Sequence, residues 1–257
     1  MNRTPFSDIP IIHSELLSRY PEIRFAMSSR IGGVSSEPYG MNLSFHVGDH
    51  QENVRRNREF FLGKLNIKVD QLANPQQVHG DTVRRVRKPG IYESCDALIS
   101  NTHEVYLVVS IADCLPIFLF DPETKSIAAV HAGWRGSELR ILSKVIEAMK
   151  NEFGTKAQNL IAYIGPAAGV CCYEVGQEVA RLFSKKYLNQ TTMNKIHLDL
   201  KLMNKDLLRE FDIPESHIEV SEECTICNSI MFHSYRRDGQ RSGRMMALIG
   251  LRAGEIK

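Results

Sequence analysis

The chain has 257 residues, 43% hydrophobic and 24% charged, the make-up of a soluble globular protein long enough to bury a core without staples. Lys and Arg number 32 against 30 Asp and Glu, a net charge of +2, and the densest basic cluster, at 84–88, is short. These figures exclude a disordered tail, a collagen-like chain and a coiled-coil rod, and they argue against a nucleic-acid partner. No stretch approaches the roughly 18 uninterrupted apolar residues of a membrane span. The N-terminal segment lacks a signal peptide's apolar core and cleavage site. No membrane partner and a cytoplasmic location are therefore expected, and the six cysteines read as thiols or metal ligands rather than disulfides.

No internal repeat or Pro/Gly/Ser-rich linker divides the chain, so one domain is expected over residues 1–257. A short helical opening near 14–20 leads to a strand at 23–28 and a glycine-rich turn at 29–40. A helix follows Asp49, with Glu52 placed as in a capping box and Val54, Phe60, Phe61 and Leu65 on its apolar side. The middle of the chain reads as strands at 82–86, 96–100, 106–112, 117–120 and 127–131, with Asp121–Ser126 as the turn between the last two. From Ser137 the spacing of Leu139, Leu142, Val145, Ile146, Met149 and Phe153 predicts a helix that Gly154 ends. A strand at 160–165, helices near 175–187 and 199–211, and strands near 218–221 and 245–251 complete the order. Strands and helices mix without strict alternation, which predicts an α/β (α+β) domain with mixed sheets.

Three segments put a metal-ligating side chain next to glycine or at a strand end: QQVHGD (76–81), SIADCLP (110–116) and AVHAGWRG (129–136). Their spacing is too wide for a zinc finger and suits a site assembled from separate strand ends. His79, Cys114 and His131 would give three protein ligands and one open position, the arrangement of a catalytic zinc. Singly, each has a plainer reading, as a buried thiol or a hydrogen-bonded imidazole.

The remaining candidates are weaker on pattern. Cys224 and Cys227 form a lone CxxC with no second pair, which leaves a structural zinc unsupported. Cys171 and Cys172 are adjacent and would not bridge each other, and Cys95 reads as structural. Arg30, in the glycine-rich turn, can fork onto a phosphate or carboxylate or can simply be a solvated loop arginine. SYRRDGQRSGR (234–244) reads as an arginine-rich hairpin, fit for an anion or for a polar turn. Trp134 beside Arg135 can stack on a planar substrate or pack a helix start.

Taken together, QQVHGD, DALIS, ADCLPIFLFDP, AAVHAGWRG, the 164–176 block IGPAAGVCCYEVG and the SYRRDG…GRMMALIGL segment resemble the YfiH/YlmD family, often labelled laccase-domain or polyphenol oxidoreductase. SSRIGGVSSEPYGMNLSFHVGD (28–49) resembles its opening signature, so the likeness runs over roughly 24–251 in order. The resemblance implies layered mixed β-sheets flanked by helices, related to the catalytic domain of cytotoxic necrotizing factor. It implies Zn²⁺ on His79, Cys114 and His131, which are also the catalytic residues. It further implies phosphorolysis of adenosine, inosine and methylthioadenosine, with adenosine deaminase activity alongside. Purine nucleosides and phosphate are then the partners, and Arg30, Asn42, Gln77 and Arg135 the expected substrate-binding residues. A copper oxidase on the same ligands, or a hydrolase built on a Cys–His pair, are the alternatives. The oligomeric state is left open.

Overall fold

The computed structural model describes residues 9–190 and 195–253. In chain order its strands are β1 (Ile11–Ile12), β2 (Ile23–Ser28), β3 (Leu72–Pro75), β4 (Val83–Arg85), β5 (Gly90–Tyr92), β6 (Ala97–Ser100), β7 (Tyr106–Ile111), β8 (Leu115–Asp121), β9 (Ser126–Ala132), β10 (Ile161–Ile164), β11 (Glu174–Val175), β12 (Leu188–Gln190), β13 (Ile196–Leu198), β14 (Ile218–Val220) and β15 (Met245–Leu251). The helices are α1 (Gln51–Lys64), α2 (Trp134–Glu138), α3 (Ile141–Phe153), α4 (Gln177–Ala180), α5 (Leu200–Glu210) and α6 (Tyr235–Asp238).

One six-stranded sheet runs β1-β2-β15-β7-β3-β5 and the other β14-β10-β8-β9-β6-β4, with a small sheet β11-β13-β12 beside them. Both large sheets are mixed: β3 is parallel to β5 and β7, β4 to β6 and β10 to β14, while their other pairs are antiparallel.

The two sheets pack face to face, and each carries helix on its outer face. Side chains alternate along a strand, so neighbours in β8 serve different cores. Phe118 and Phe120 meet Phe25, Met27, Leu107, Val109 and Ile249 of the first sheet. Ile117 and Leu119 meet Ile141, Leu142, Val145 and Met149 of α3 and Leu207 and Leu208 of α5. The outer face of the first sheet, with Ala26, Val108 and Leu248, is covered by Phe61 and Leu62 of α1. Phe25 sets its ring edge-on to Phe118 and Tyr163 with centroids 4.9 and 5.1 Å apart, bonding the two sheets across the middle. Emptying such a position, as in Phe118→Ala, costs roughly 3–5 kcal/mol. The expected class, a mixed α+β domain with layered sheets and flanking helices, is the architecture seen. No helix among the described residues is long and apolar enough to cross a membrane.

Several local expectations are corrected. The helix expected from Ser137 is two helices, because Arg140 takes a left-handed φ of 57° between α2 and α3. Gly154, at φ 74°, does close α3. The helix expected near 175–187 breaks into α4 and a 3₁₀ turn at 185–187, where Ser184 caps Lys186 and the chain turns to pair β12 with β13. The opening at 14–20 is a single 3₁₀ turn, Leu17–Arg19. The expected hairpin at 234–244 is α6 followed by another 3₁₀ turn, with Ser234 Oγ accepting the Arg237 N–H.

Candidate metal centre

Register places the three expected ligands at one end of the second sheet. Pro116 of β8 pairs with His131 of β9, so Cys114, just before β8, lies beside the end of β9. His131 N–H donates to the Asp96 carbonyl at 2.7 Å, adding the start of β6. His79 arrives on the loop between β3 and β4. The three ligand atoms lie within 4.8 Å of one another. The His79 and His131 rings meet edge-on at 4.9 Å, His79 exposed and His131 buried.

Asp96 builds this corner. It has no exposed surface, and its carboxylate accepts the N–H groups of Val78, His79 and Gly80 at 3.2, 3.0 and 2.8 Å. Oδ1 also meets His131 Nδ1 at 2.8 Å. Burial pushes the Asp96 carboxyl up, but His131 and the loop N–H groups overcome it and hold it below the usual carboxylate value. The same bonds hold His79 at a left-handed φ of 58°, a conformation that costs on the order of 1–3 kcal/mol in a non-glycine residue. Gly133 leaves the remaining room: a Cβ there would sit 3.2 Å from Cys114 Sγ and 3.4 Å from His79 Cδ2.

With Nδ1 taken by Asp96, the other nitrogen of His131 faces Cys114. Burial raises the Cys114 thiol, yet the two histidines bring it down to about 6. Burial lowers the His131 imidazole, yet the Cys114 thiolate and Asp96 lift it to about 9. Cys114 is thus held as the thiolate that a metal requires. Two imidazoles, one thiolate and a carboxylate behind one imidazole are a donor set that fits zinc or copper.

The other expected residues lie around this corner in different ways. Gln77 pairs its amide with the backbone of Ser110, donating to the carbonyl at 2.9 Å and accepting the N–H at 2.8 Å, and so pins the His79 loop to β7. Asn42 is fully buried; its amide donates to Ser44 O and Asp49 and accepts the N–H groups of Ser44 and Arg244. That leaves it nothing to offer a substrate, and it supports the Arg244 segment instead. Arg30 donates to the Ser229 and Pro38 carbonyls and to Glu37. Arg135 is exposed, with its guanidinium 4.6 Å from the Trp134 ring.

Three features of the site escaped the sequence reading. In the sequence Asp96 shows only as the opening of a strand. Arg244 sits in an arginine-rich segment fit for anions, with no local signal to set it apart from the other arginines. Its guanidinium is half-buried, lies in the field of Asp113 and Cys114, and has its pKa lowered by burial. Its Nη1 donates to the carbonyls of Ser242 and Gly243, leaving Nε and Nη2 without a protein acceptor among the described residues. Asp113, at φ 89°, accepts Thr225 Oγ1, Ser234 Oγ and the Arg236 N–H at 2.7, 3.0 and 2.6 Å, tying the Cys114 loop to the segment from 225 to 236. The lone CxxC is not alone either: Cys224 and Cys227 meet Cys171 and Cys172, which the sequence left 55 residues away.

A family model described as multi-copper polyphenol oxidoreductase laccase matches residues 24–252. A purine nucleoside phosphorylase from Deinococcus radiodurans is 38% identical over 232 residues, spanning 88% of this chain and 88% of that protein. An adenosine deaminase, RL5, from an unknown prokaryotic organism is 32% identical over 222 residues, 80% of this chain and 84% of that protein. The crystal structure of YlmD from Geobacillus stearothermophilus matches with a TM-score of 0.87 at 29% identity, covering 93% of this chain and 94% of the other.

Proposed function

The chain belongs to the YfiH/YlmD family, whose model carries the laccase description, and from that membership we propose that it is a zinc-dependent purine nucleoside phosphorylase. Its substrates in this reading are adenosine, inosine and methylthioadenosine, cleaved by phosphate to the free base and the sugar 1-phosphate. An adenosine deaminase activity accompanies it, as the likeness to RL5 supports. The observation that carries the reading is the convergence of His79, Cys114 and His131 on one corner, with the Arg244 guanidinium in the field of Cys114, in a chain similar along most of its length to a phosphorylase.

His79, Cys114 and His131 would hold the zinc. Bound there, the ion supplies Lewis-acid polarisation of a substrate or water oxygen or nitrogen. Asp96 fixes His131 in one tautomer and one orientation. Arg244 presents Nε and Nη2 to the phosphate oxygens, and its desolvated setting strengthens that charge-assisted contact. A phosphate oxygen forms the new bond to the anomeric carbon as the glycosidic bond breaks, the bonding pair leaves with the base, and the proton carried by the hydrogen phosphate ends on the base nitrogen, directly or through water. Gln77 keeps the His79 loop in register with β7 throughout.

Chromatography of adenosine and inosine reactions with and without phosphate tests the proposal. Base and ribose 1-phosphate should form only when phosphate is present. Free ribose in phosphate-free buffer would point to a hydrolase, and no base release with zinc and excess phosphate would overturn the reading.

The family description supports a second reading, a copper oxidase on the same three donors. A multicopper laccase also needs histidines paired as HxH, and the sequence has no such pair. Oxygen uptake with phenols by the copper-loaded protein distinguishes this reading from the first.

A further inference from the structure

Two remote turns bring four thiols to one point. Cys171 and Cys172 lie on the turn between β10 and β11, and Cys224 and Cys227 lie on the loop between β14 and α6. All four Sγ atoms are within 4.8 Å of one another, with Cys227 Sγ 3.0 Å from Cys172 Sγ and 3.4 Å from Cys171 Sγ. Adjacent cysteines can share this point because the turn is curled: the Cys172 and Tyr173 N–H groups both donate to the Gly169 carbonyl at 2.9 Å. Cys171 and Cys227 are exposed, so burial of apolar surface does not account for the gathering.

We propose that Cys171, Cys172, Cys224 and Cys227 bind a second metal ion, a structural zinc in an all-thiolate site. A tetrahedral zinc with Zn–S bonds of roughly 2.3 Å sets its sulfurs about 3.8 Å apart; all four sulfurs lie within 4.8 Å of one another, and the two pairs at 3.0 and 3.4 Å need to open by less than 1 Å to reach that spacing. An iron–sulfur cluster spreads its thiolates over several irons and needs them wider apart. Four thiolates around one Zn²⁺ leave two negative charges, and the surroundings are built to receive them. The Gly169 N–H donates to Cys224 Sγ at 3.2 Å, and the N–H groups of Ile226 and Cys227 point to the same sulfur. Lys201 stands beside Cys224 and Cys171, its ammonium anchored on the Ser221 and Glu223 carbonyls at 2.6 and 2.7 Å. Such donors and cations are the outer partners that stabilise a thiolate–metal centre.

The site is closed, with four protein ligands and no open position, so its work is to hold chain to chain. It staples the 165–173 segment to the 221–228 loop, where the Thr225 N–H already donates to the Ala167 carbonyl at 3.0 Å. Thr225, between the two cysteines of the CxxC, also donates its hydroxyl to Asp113. The staple therefore stands one residue behind the loop that presents Cys114.

The test is metal analysis of the full-length protein, purified under reducing conditions from zinc-supplemented culture. The wild type should hold two zinc ions per chain. Cys171→Ser/Cys227→Ser should hold one, Cys114→Ala should also hold one, and the combined variant none. Cobalt(II) substitution should give intense thiolate charge-transfer absorption that survives Cys114→Ala and is largely lost in Cys171→Ser/Cys227→Ser. Should the double variant fail to fold, alkylation of the wild type decides: Cys171 and Cys227 should be protected until a chelator strips the zinc. Zinc content left unchanged by Cys171→Ser/Cys227→Ser, free alkylation of both thiols in the zinc-replete protein, iron in place of zinc, or a Cys172–Cys227 disulfide in the reduced preparation would each overturn the proposal. Zinc lost with the double variant but unaffected by Cys114→Ala would overturn the ligand assignment at the His79 corner instead.

Discussion

Asp96 and His131 are bonded twice, side chain to side chain at 2.8 Å and backbone to backbone at 2.7 Å, so β6 and the end of β9 move as one piece. The same carboxylate holds three loop N–H groups. Asp96→Asn keeps the volume, but an amide has one acceptor oxygen for work now shared by two. We expect zinc affinity to fall about 10- to 100-fold and stability by roughly 1–3 kcal/mol. Competition against a chromophoric chelator and denaturant unfolding check the two effects. Unchanged affinity would reduce Asp96 to a loop anchor.

Cys114→Ala removes the charged donor of the set. Metal at that corner should be lost and phosphorolysis should drop to background, while the far-UV circular dichroism stays that of the wild type, because the three cores are built elsewhere. Full occupancy of the corner in this variant would dismiss the ligand assignment.

Gly133→Ala is the steric counterpart. Gly133 has an ordinary backbone conformation, φ −67°, so a methyl group brings no backbone strain, only contacts at 3.2 and 3.4 Å with Cys114 and His79. Zinc affinity and turnover should fall together, with stability changed by less than about 1 kcal/mol. A variant with native zinc affinity would mean that the corner has slack that its geometry does not suggest.

Arg244→Ala should raise the KM for phosphate by roughly 10- to 150-fold, the equivalent of about 1.5–3 kcal/mol for a hydrogen bond to a charged group. Arg30→Ala is the comparison, since that guanidinium is already engaged by Ser229, Pro38 and Glu37. Steady-state kinetics in phosphate separate the two. An effect of equal size from Arg30→Ala would put Arg30 in the phosphate site as well.

His233 gives a pH signature away from the metal corner. Its imidazole is fully enclosed, and neither ring nitrogen has a partner among the described residues. Burial, helped by Arg30, pushes it down to about 3. The folded value lies below the unfolded one of roughly 6.5, so the unfolded chain takes up the proton first. The contribution is complete above pH ~6.5 and is lost as pH falls from there toward ~3, amounting to roughly 2 kcal/mol by pH ~5. Urea unfolding at pH 7 and pH 5 should show the wild type losing that much more than His233→Gln. Equal losses would show that the imidazole is protonated within the fold.

The parts of this molecule legible in the sequence are those written in neighbouring residues. The strands at 23–28, 106–112 and 127–131 announce themselves as apolar runs, and His79, Cys114 and His131 each sit at a strand end or beside a glycine. What escaped depends on distant partners. β3, with sequence Leu-Ala-Asn-Pro, has poor strand propensity and exists because β5 and β7 pair with it on either side. Both faces of β8 and β9 are buried, so the period of two that marks a half-exposed strand is absent from them. Asp96 before an apolar run reads only as the opening of a strand until His131 is set against it. Cys171 and Cys172 acquire Cys224 and Cys227 only through the parallel pairing of β10 with β14, which brings their two loops out side by side.

β15 lies between β2 and β7 in the middle of its sheet, although it follows them by many residues in the chain. Until Met245–Leu251 has been synthesised, β2 and β7 each present a long apolar edge with unpaired N–H and C=O groups, the template on which strands of other chains add. β6, β8, β9 and β10 are complete in sequence by residue 164, and the Thr225, Ser234 and Arg236 donors that hold Asp113 beside Cys114 by residue 236, all before β15 begins. Release or cleavage of the chain just before residue 245 would therefore yield a species with an adhesive flank, one whose fate is aggregation rather than simple unfolding.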